Sequence, residues 1–202
     1  MKNIYKFRKS ILKIAKKQVN KLKKKYPLNN PNLKIKLDNV ENAGGFVNFN
    51  EKDIIYLCTN FYKNKPNLKY EVKRIVTHEY CHNYIRDKNL KEYNTFQVCI
   101  KNEIMKIFLE YGISINKFNL EKYIGLSISD YAQKHIKTKS MNAFEEVLCD
   151  AFFRYNCYNY KENKDNLLDI SYIIHKGLVD LLIDFKPIKK DKYYIDEIDL
   201  FI

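Results

Sequence analysis

Apolar residues recur at three- and four-residue intervals from the start of the chain: Phe7, Ile11, Ile14, Ala15, Val19, Leu22 and Tyr26. The spacing predicts an amphipathic helix with lysines on its other face. Pro27, Asn29, Asn30 and Pro31 stop it. Leu33, Ile35 and Leu37 then alternate with lysines as a strand does, and Gly44-Gly45 precedes the short run Phe46, Val47 and Phe49. Asn50 to Asp53 reads as a turn and Ile54 to Cys58 as a second strand, so residues 45 to 58 are expected to form a hairpin.

After Pro66 the period returns to that of a helix, from Leu68 to Asp87. Ile75, His78, His82 and Ile85 lie on one stripe of it, and Val72, Val76, Tyr80 and Tyr84 on a second. A helix apolar on two sides is expected between a small sheet and other helices. Further helical patterns run through about 93 to 111, 142 to 158 and 165 to 185, the last interrupted weakly by Gly177. The segment from Pro187, apolar near its end, reads as a strand or an ordered extension. The expected organisation is a basic amphipathic helix over 1–28, one domain over 29–186 and a tail over 187–202. The expected fold is α+β, mostly helical, with a small antiparallel or mixed sheet packed on the helix of residues 68 to 87.

Charge changes this picture at one end only. Of 37 Lys and Arg in 202 residues, eleven fall within residues 1 to 25 beside no acid, leaving 26 bases against 24 acids elsewhere. Such a segment is either a solvated face or a surface for nucleic acid or an acidic partner. No glycine-rich phosphate loop, zinc finger or helix-turn-helix signature accompanies it. The five cysteines, Cys58, Cys81, Cys99, Cys149 and Cys157, are odd in number and contain no C-x-x-C pair, against a disulfide framework and against a cysteine zinc cluster. Neither an uninterrupted signal-peptide core nor a membrane span is found. The expectation is a soluble cytoplasmic protein, or one that is virion-associated or released without a signal peptide.

The chemistry concentrates in His78-Glu79-Tyr80-Cys81-His82, which spends two of only four histidines at the i, i+4 spacing that lets one helical face grip zinc. H-E-x-x-H on a helix reads as a metallopeptidase motif, with the glutamate as general base. Catalytic zinc takes a third protein ligand and keeps a position open for water. Glu103 follows His82 by 21 residues, but the position four later is Ile107, whereas Glu146 is followed by Asp150 one helical turn on. Glu146 is the preferred ligand. Glu145 is its rival, since neighbouring residues differ by about 100° around a helix, and on that register Cys149 takes the place of the supporting acid. His135 and His175 have no partner at ligand spacing, and Cys81 reads as a small core residue.

Ser129-Asp130-Tyr131-Ala132 and the run N-A-F-E-E-V-L-C-D-A-F-F from Asn142 to Phe153 carry a resemblance. With the pentad, they resemble the catalytic zincin domain of anthrax lethal factor and the Pro-Pro endopeptidases, over about residues 45 to 158. The resemblance implies one zinc ion held by His78, His82 and Glu146, with Glu79 as general base. It implies Tyr131 as the hydroxyl donor to the developing oxyanion, and Asp150, an aspartate at the family's second acid, as the acceptor for a ligand histidine. The pattern E-x-x-x-D-A-F is also similar to anti-repressor metallopeptidases of phages and mobile elements. An extended protein or peptide substrate is expected to pair with an open edge at Ile54 to Cys58. The competing readings are a nucleic-acid-associated protein, a DNA-tethered protease and an inactive zincin-like binding or structural module.

Overall fold

The computed structural model describes residues 2–40, 43–48, 50–51, 53–90, 96–114, 116–139, 142–157 and 167–185. The chain divides into two compact units, Met1–Asn89 and Leu90–Ile202. It is mostly helical with one small mixed sheet, so the α+β class holds. The tail from Pro187 lies outside the described residues. No helix among the described residues is long and apolar enough to cross a membrane.

The first unit runs α1 (Lys2–Lys25), β1 (Lys34–Asp38), β2 (Gly45–Val47), β3 (Ile54–Cys58), α2 (Thr59–Tyr62) and α3 (Leu68–Asp87). The hairpin forms as expected: β2 pairs antiparallel with β3, setting Val47 opposite Ile55 and Gly45 opposite Leu57. β1 joins the other side of β3 in parallel, from Lys34 opposite Ile54 to Asp38 opposite Cys58. The strand order is therefore β1-β3-β2. This corrects the expectation of an open edge at Ile54 to Cys58. That strand is central, its backbone groups are taken on both sides, and among the described residues the edges are β1 and β2.

α3 lies between the sheet and α1. Ile11, Ala15, Val19, Leu22 and Tyr26 are all buried, and α1 packs along α3. Each large apolar side chain withdrawn from water in this way contributes about 1.5–3 kcal/mol. Two buried hydrogen bonds fix the pairing: the Tyr80 hydroxyl donates to the Tyr26 carbonyl at 2.6 Å, and Gln18 Nε2 donates to Thr77 Oγ1 at 2.9 Å. On the other side β2 packs close against α3. A Cβ on Gly45 would stand 2.6 Å from Ile75 Cγ2 and 2.8 Å from the Tyr56 carbonyl, so no larger residue fits without displacement.

The ends of α3 are specified locally. Asn67 accepts the Tyr70 N–H at 3.1 Å as an N-cap. Beyond Asp87, Asn89 adopts the left-handed conformation (φ 55°) that commonly ends a helix. The Asp87 carboxylate accepts the backbone N–H groups of Asn29 and Asn30, at 2.6 and 2.9 Å, tying the loop after α1 to the end of α3.

The described residues of the second unit form helices: α4 (Phe96–Glu110), α5 (Lys117–Ser127), α6 (Asp130–Lys137), α7 (Ala143–Cys157) and α8 (Leu167–Asp184). α7 packs on α4, α6 and α8, with Val147, Leu148, Ala151, Phe152 and Phe153 buried. Ile100, Ile104, Ile107 and Phe108 from α4 and Ile174, Leu178, Val179 and Leu182 from α8 complete this core. Gly177, which reads in the sequence as a weak interruption, lets α4 and α8 approach: a Cβ there would lie 3.0 Å from Ile107 Cδ1. Ser129 caps α6, its Oγ accepting the Ala132 N–H at 3.0 Å.

Candidate metal centre

His78 and His82 lie one turn apart on α3, and the helix turns both rings to the same side. Their Nε2 atoms are 3.2 Å apart and their ring centroids 5.0 Å apart, and both residues are buried. Two imidazole nitrogens at this separation are too close for both to carry protons toward each other. A shared proton or a shared cation satisfies them. The buttressing of α3 on both sides holds the backbone that carries them.

Glu79 is buried one residue along, turned about 100° from His78. Its charge is felt in the first unit by Cys58 and Tyr62. Burial raises both groups above their ordinary pKa, and the Glu79 carboxylate adds to each shift. Tyr62 donates its hydroxyl to the Gly44 carbonyl at 2.9 Å. Asn83, one turn beyond Glu79, donates its amide to the Glu79 backbone carbonyl at 3.0 Å, binding that turn of the helix together.

Of the residues singled out on α7, Glu145, Cys149 and Asp150 are buried and Glu146 is half-buried. Asp150 accepts a hydrogen bond from Ser129 Oγ, the same hydroxyl that caps α6. Tyr131, at the start of α6, is 47% exposed, so it is not a core tyrosine; its ring lies 4.6 Å from that of His135. Glu103 is engaged within the second unit, where it lies beside Lys106 (3.9 Å) and faces Gly177 of α8. His175 is buried, with Nε2 2.9 Å from the Ser127 carbonyl, and burial lowers its pKa to about 4. It is a neutral, hydrogen-bonded core histidine. Cys81 is fully buried, as a small core residue is.

Among the described residues, His78, His82 and Cys149, all buried, form a group that could hold a metal ion. Glu146, the carboxylate preferred on sequence grounds, is not part of that group and stands three residues before Cys149 in α7. Cys149 entered the sequence reading only as a neighbour of Glu145. The signal that could have marked it is its place one turn after both glutamates, with a donor atom that suits the same class of metals as imidazole.

No family model matches the chain, and neither does any curated protein or solved structure.

Proposed function

We propose that the chain is a zinc-dependent endopeptidase in which His78 and His82 hold the metal and Glu79 is the general base. The observation that carries the reading is the pair of Nε2 atoms 3.2 Å apart on a buried helical face, with a buried carboxylate on the next residue. The donors suit a borderline-soft divalent ion, since zinc accepts imidazole nitrogen together with thiolate or carboxylate. We assign the third protein ligand to the turn 145–149 of α7, where Glu146, Glu145 and Cys149 offer the donors. When bound, zinc supplies a Lewis acid and brings the pKa of its water to about 7.

The remaining steps belong to the chain's own residues. Glu79 takes a proton from the attacking water and delivers it to the departing amine, so one carboxylate serves both halves of the reaction. Burial keeps that carboxylate away from bulk water and sharpens its interaction with a charge developing beside it. Tyr131 is assigned the hydroxyl donated to the oxyanion, a contact worth about 3 kcal/mol when well placed. Tyr131 is 47% exposed, which suits a residue that meets a substrate better than one packed in the core. β2, an edge strand among the described residues that packs on α3, is the strand along which an extended peptide backbone would pair, because its outer N–H and C=O groups face away from β3.

The test combines elemental analysis with proteolysis. Wild type, Glu79→Gln, Glu146→Ala and Cys149→Ser are purified, and each is assayed on casein and on a mixed peptide library. About one zinc per chain is expected in wild type. Glu79→Gln is expected to keep it and to lose activity by about 10²–10⁴-fold. Whichever of the other two loses zinc identifies the third ligand. A folded wild type with no bound zinc refutes the proposal, and zinc without cleavage of any substrate reduces it to a metal-binding role.

A further inference from the structure

We infer that the exposed lysine face of α1 is a surface for the phosphate backbone of double-stranded nucleic acid. The buried residues of α1, namely Ile11, Ala15, Gln18, Val19, Leu22 and Tyr26, occupy one side of the helix, packed on α3. Lys6, Lys9, Lys13, Lys16, Lys17, Lys21 and Lys24 are all exposed. At about 100° per residue they fall on the opposite side, spread over roughly 140°. Lys9 and Lys16 form one flank, Lys6, Lys13 and Lys24 the centre, and Lys17 and Lys21 the other flank. At about 1.5 Å per residue the row runs roughly 27 Å from Lys6 to Lys24.

None of these seven forms an ion pair among the described residues. Lys23, by contrast, is spent on the fold, donating to the Pro31 carbonyl at 2.6 Å. With no acid in α1, the row of charge is uncompensated along the whole helix. The hydrogen bonds from Gln18 and Tyr80 and the buried apolar stripe hold it rigid.

Geometry selects the partner. An interfacial membrane helix inserts its apolar face into the lipid, and here that face is occupied by α3; the exposed apolar residues Ile4 and Tyr5 are confined to the first turn. A flat anionic surface would meet only the central lysines. A duplex groove about 12 Å wide admits a helix and presents phosphates on both walls, so both flanks and the centre are used. The face carries no arginine, and Asn20, exposed between Lys9 and Lys13 around the helix, is its one amide among the described residues, so binding is expected to rest on phosphates with little sequence preference.

The test is fluorescence anisotropy of the full chain with a labelled DNA duplex of about two helical turns, across salt concentrations. A dissociation constant in the range of about 10⁻⁶–10⁻⁴ M at physiological salt is expected. With about six phosphates neutralised, affinity should fall about 10³-fold between 50 and 200 mM salt. Changing Lys6, Lys13, Lys17 and Lys24 together to Gln removes exposed charges only, so the far-UV spectrum and melting temperature should be preserved. The salt dependence of that variant should shrink to roughly tenfold over the same range. No binding at low salt, or equal salt dependence in wild type and variant, overturns the proposal. So does preferential capture of the chain by phosphatidylserine-containing vesicles at matched salt. Because Glu79→Gln leaves the lysines untouched, its DNA binding should equal that of wild type whether or not the chain is a peptidase.

Discussion

His175 gives the second unit an acid-sensitive core. Its ring is buried in α8 with Nε2 2.9 Å from the Ser127 carbonyl, which requires that Nε2 carry the proton of the neutral ring. Burial is the main cause that lowers its pKa from 6.5 to about 4. The positive charge of Arg154 adds to the effect, and the Ser127 carbonyl and Asp150 oppose it. Between these two values the unfolded chain binds a proton that the folded chain refuses. Stability is therefore fully present above pH 6.5 and is lost as pH falls toward the folded value. At 1.36 kcal/mol per unit the whole interval corresponds to about 3 kcal/mol, of which about 2 kcal/mol falls between pH 7 and pH 5. The perturbation is His175→Gln, whose amide can still donate to the Ser127 carbonyl but cannot be charged. Urea unfolding of both proteins, followed by circular dichroism at pH 7, 6 and 5, isolates the histidine, because carboxylates common to both cancel in the difference. Wild type should lose about 2 kcal/mol more than the variant from pH 7 to pH 5. Parallel losses would show that His175 protonates in the folded state as readily as in the unfolded one, and the argument from burial would fail.

Three further substitutions probe how the fold positions the candidate centre. Ile11→Ala removes a fully buried side chain from the contact of α1 with α3 and should cost about 2–5 kcal/mol in urea unfolding; a cost below 1 kcal/mol would mean that α1 does not support α3. Gly45→Ala places a methyl group 2.6 Å from Ile75 Cγ2 and 2.8 Å from the Tyr56 carbonyl. It should destabilise the first unit by about 1–3 kcal/mol, whereas unchanged thermal unfolding would contradict the close approach of β2 to α3. Ser129→Ala deletes both the cap of α6 and a donor to Asp150, and a loss of about 1–2 kcal/mol is expected by chemical denaturation.

The helices that could be read from the sequence are those whose signals are local and repeated. α3 shows Pro66 before an Asn cap, two apolar stripes and an abrupt polar end, and its observed bounds, Leu68–Asp87, coincide with those expected. α7 and α8 begin and end within two residues of expectation for the same reason. α5 and α6 escaped for other reasons: the apolar residues of α5, Phe118, Leu120, Tyr123, Ile124 and Leu126, are spread around the helix and not gathered in one stripe, and α6 is eight residues whose buried anchor is Ala132. The sheet shows a different kind of limit. The hairpin of β2 and β3 is a near-neighbour pairing signalled by its turn, but the place of β1 is set by a parallel pairing across twenty residues of chain, for which alternating residues carry no instruction. This is why Ile54 to Cys58 was legible as a strand and not as the centre of its sheet. The boundary after Asn89 was not legible either: it follows the left-handed end of α3, with no proline-, glycine- or serine-rich linker to mark it.

The same division between local and non-local information runs through the candidate centre. His78, Glu79 and His82 were legible because four residues of helix are enough to determine that two rings share a side and that the carboxylate stands beside them. The third ligand that the proposal requires was not, because choosing it requires the rotation of α7 about its own axis. Residues 145 and 149 define one stripe and residues 146 and 150 another, about 100° apart. The case for Glu146 rested on Asp150 as the acceptor for a ligand histidine. In the fold one Asp150 oxygen is engaged by Ser129, which at the same time caps α6, so the burial of Asp150 already has a structural cause within its own unit. Glu145 and Cys149, the other stripe, are both essentially inaccessible to solvent, at 1% and 0% exposure. A carboxylate is rarely buried to that degree unless it is paired or bound to a cation. Cys149 sits one turn from both glutamates, and whichever of them contributes oxygen, a thiol stands within the same turn. The choice among the three therefore turns on hard against soft donors: a site completed by Glu145 or Glu146 carries the two-histidine, one-carboxylate set of hydrolytic zinc, whereas one completed by Cys149 adds a thiolate that binds soft metals more strongly and neutralises the same unit of charge.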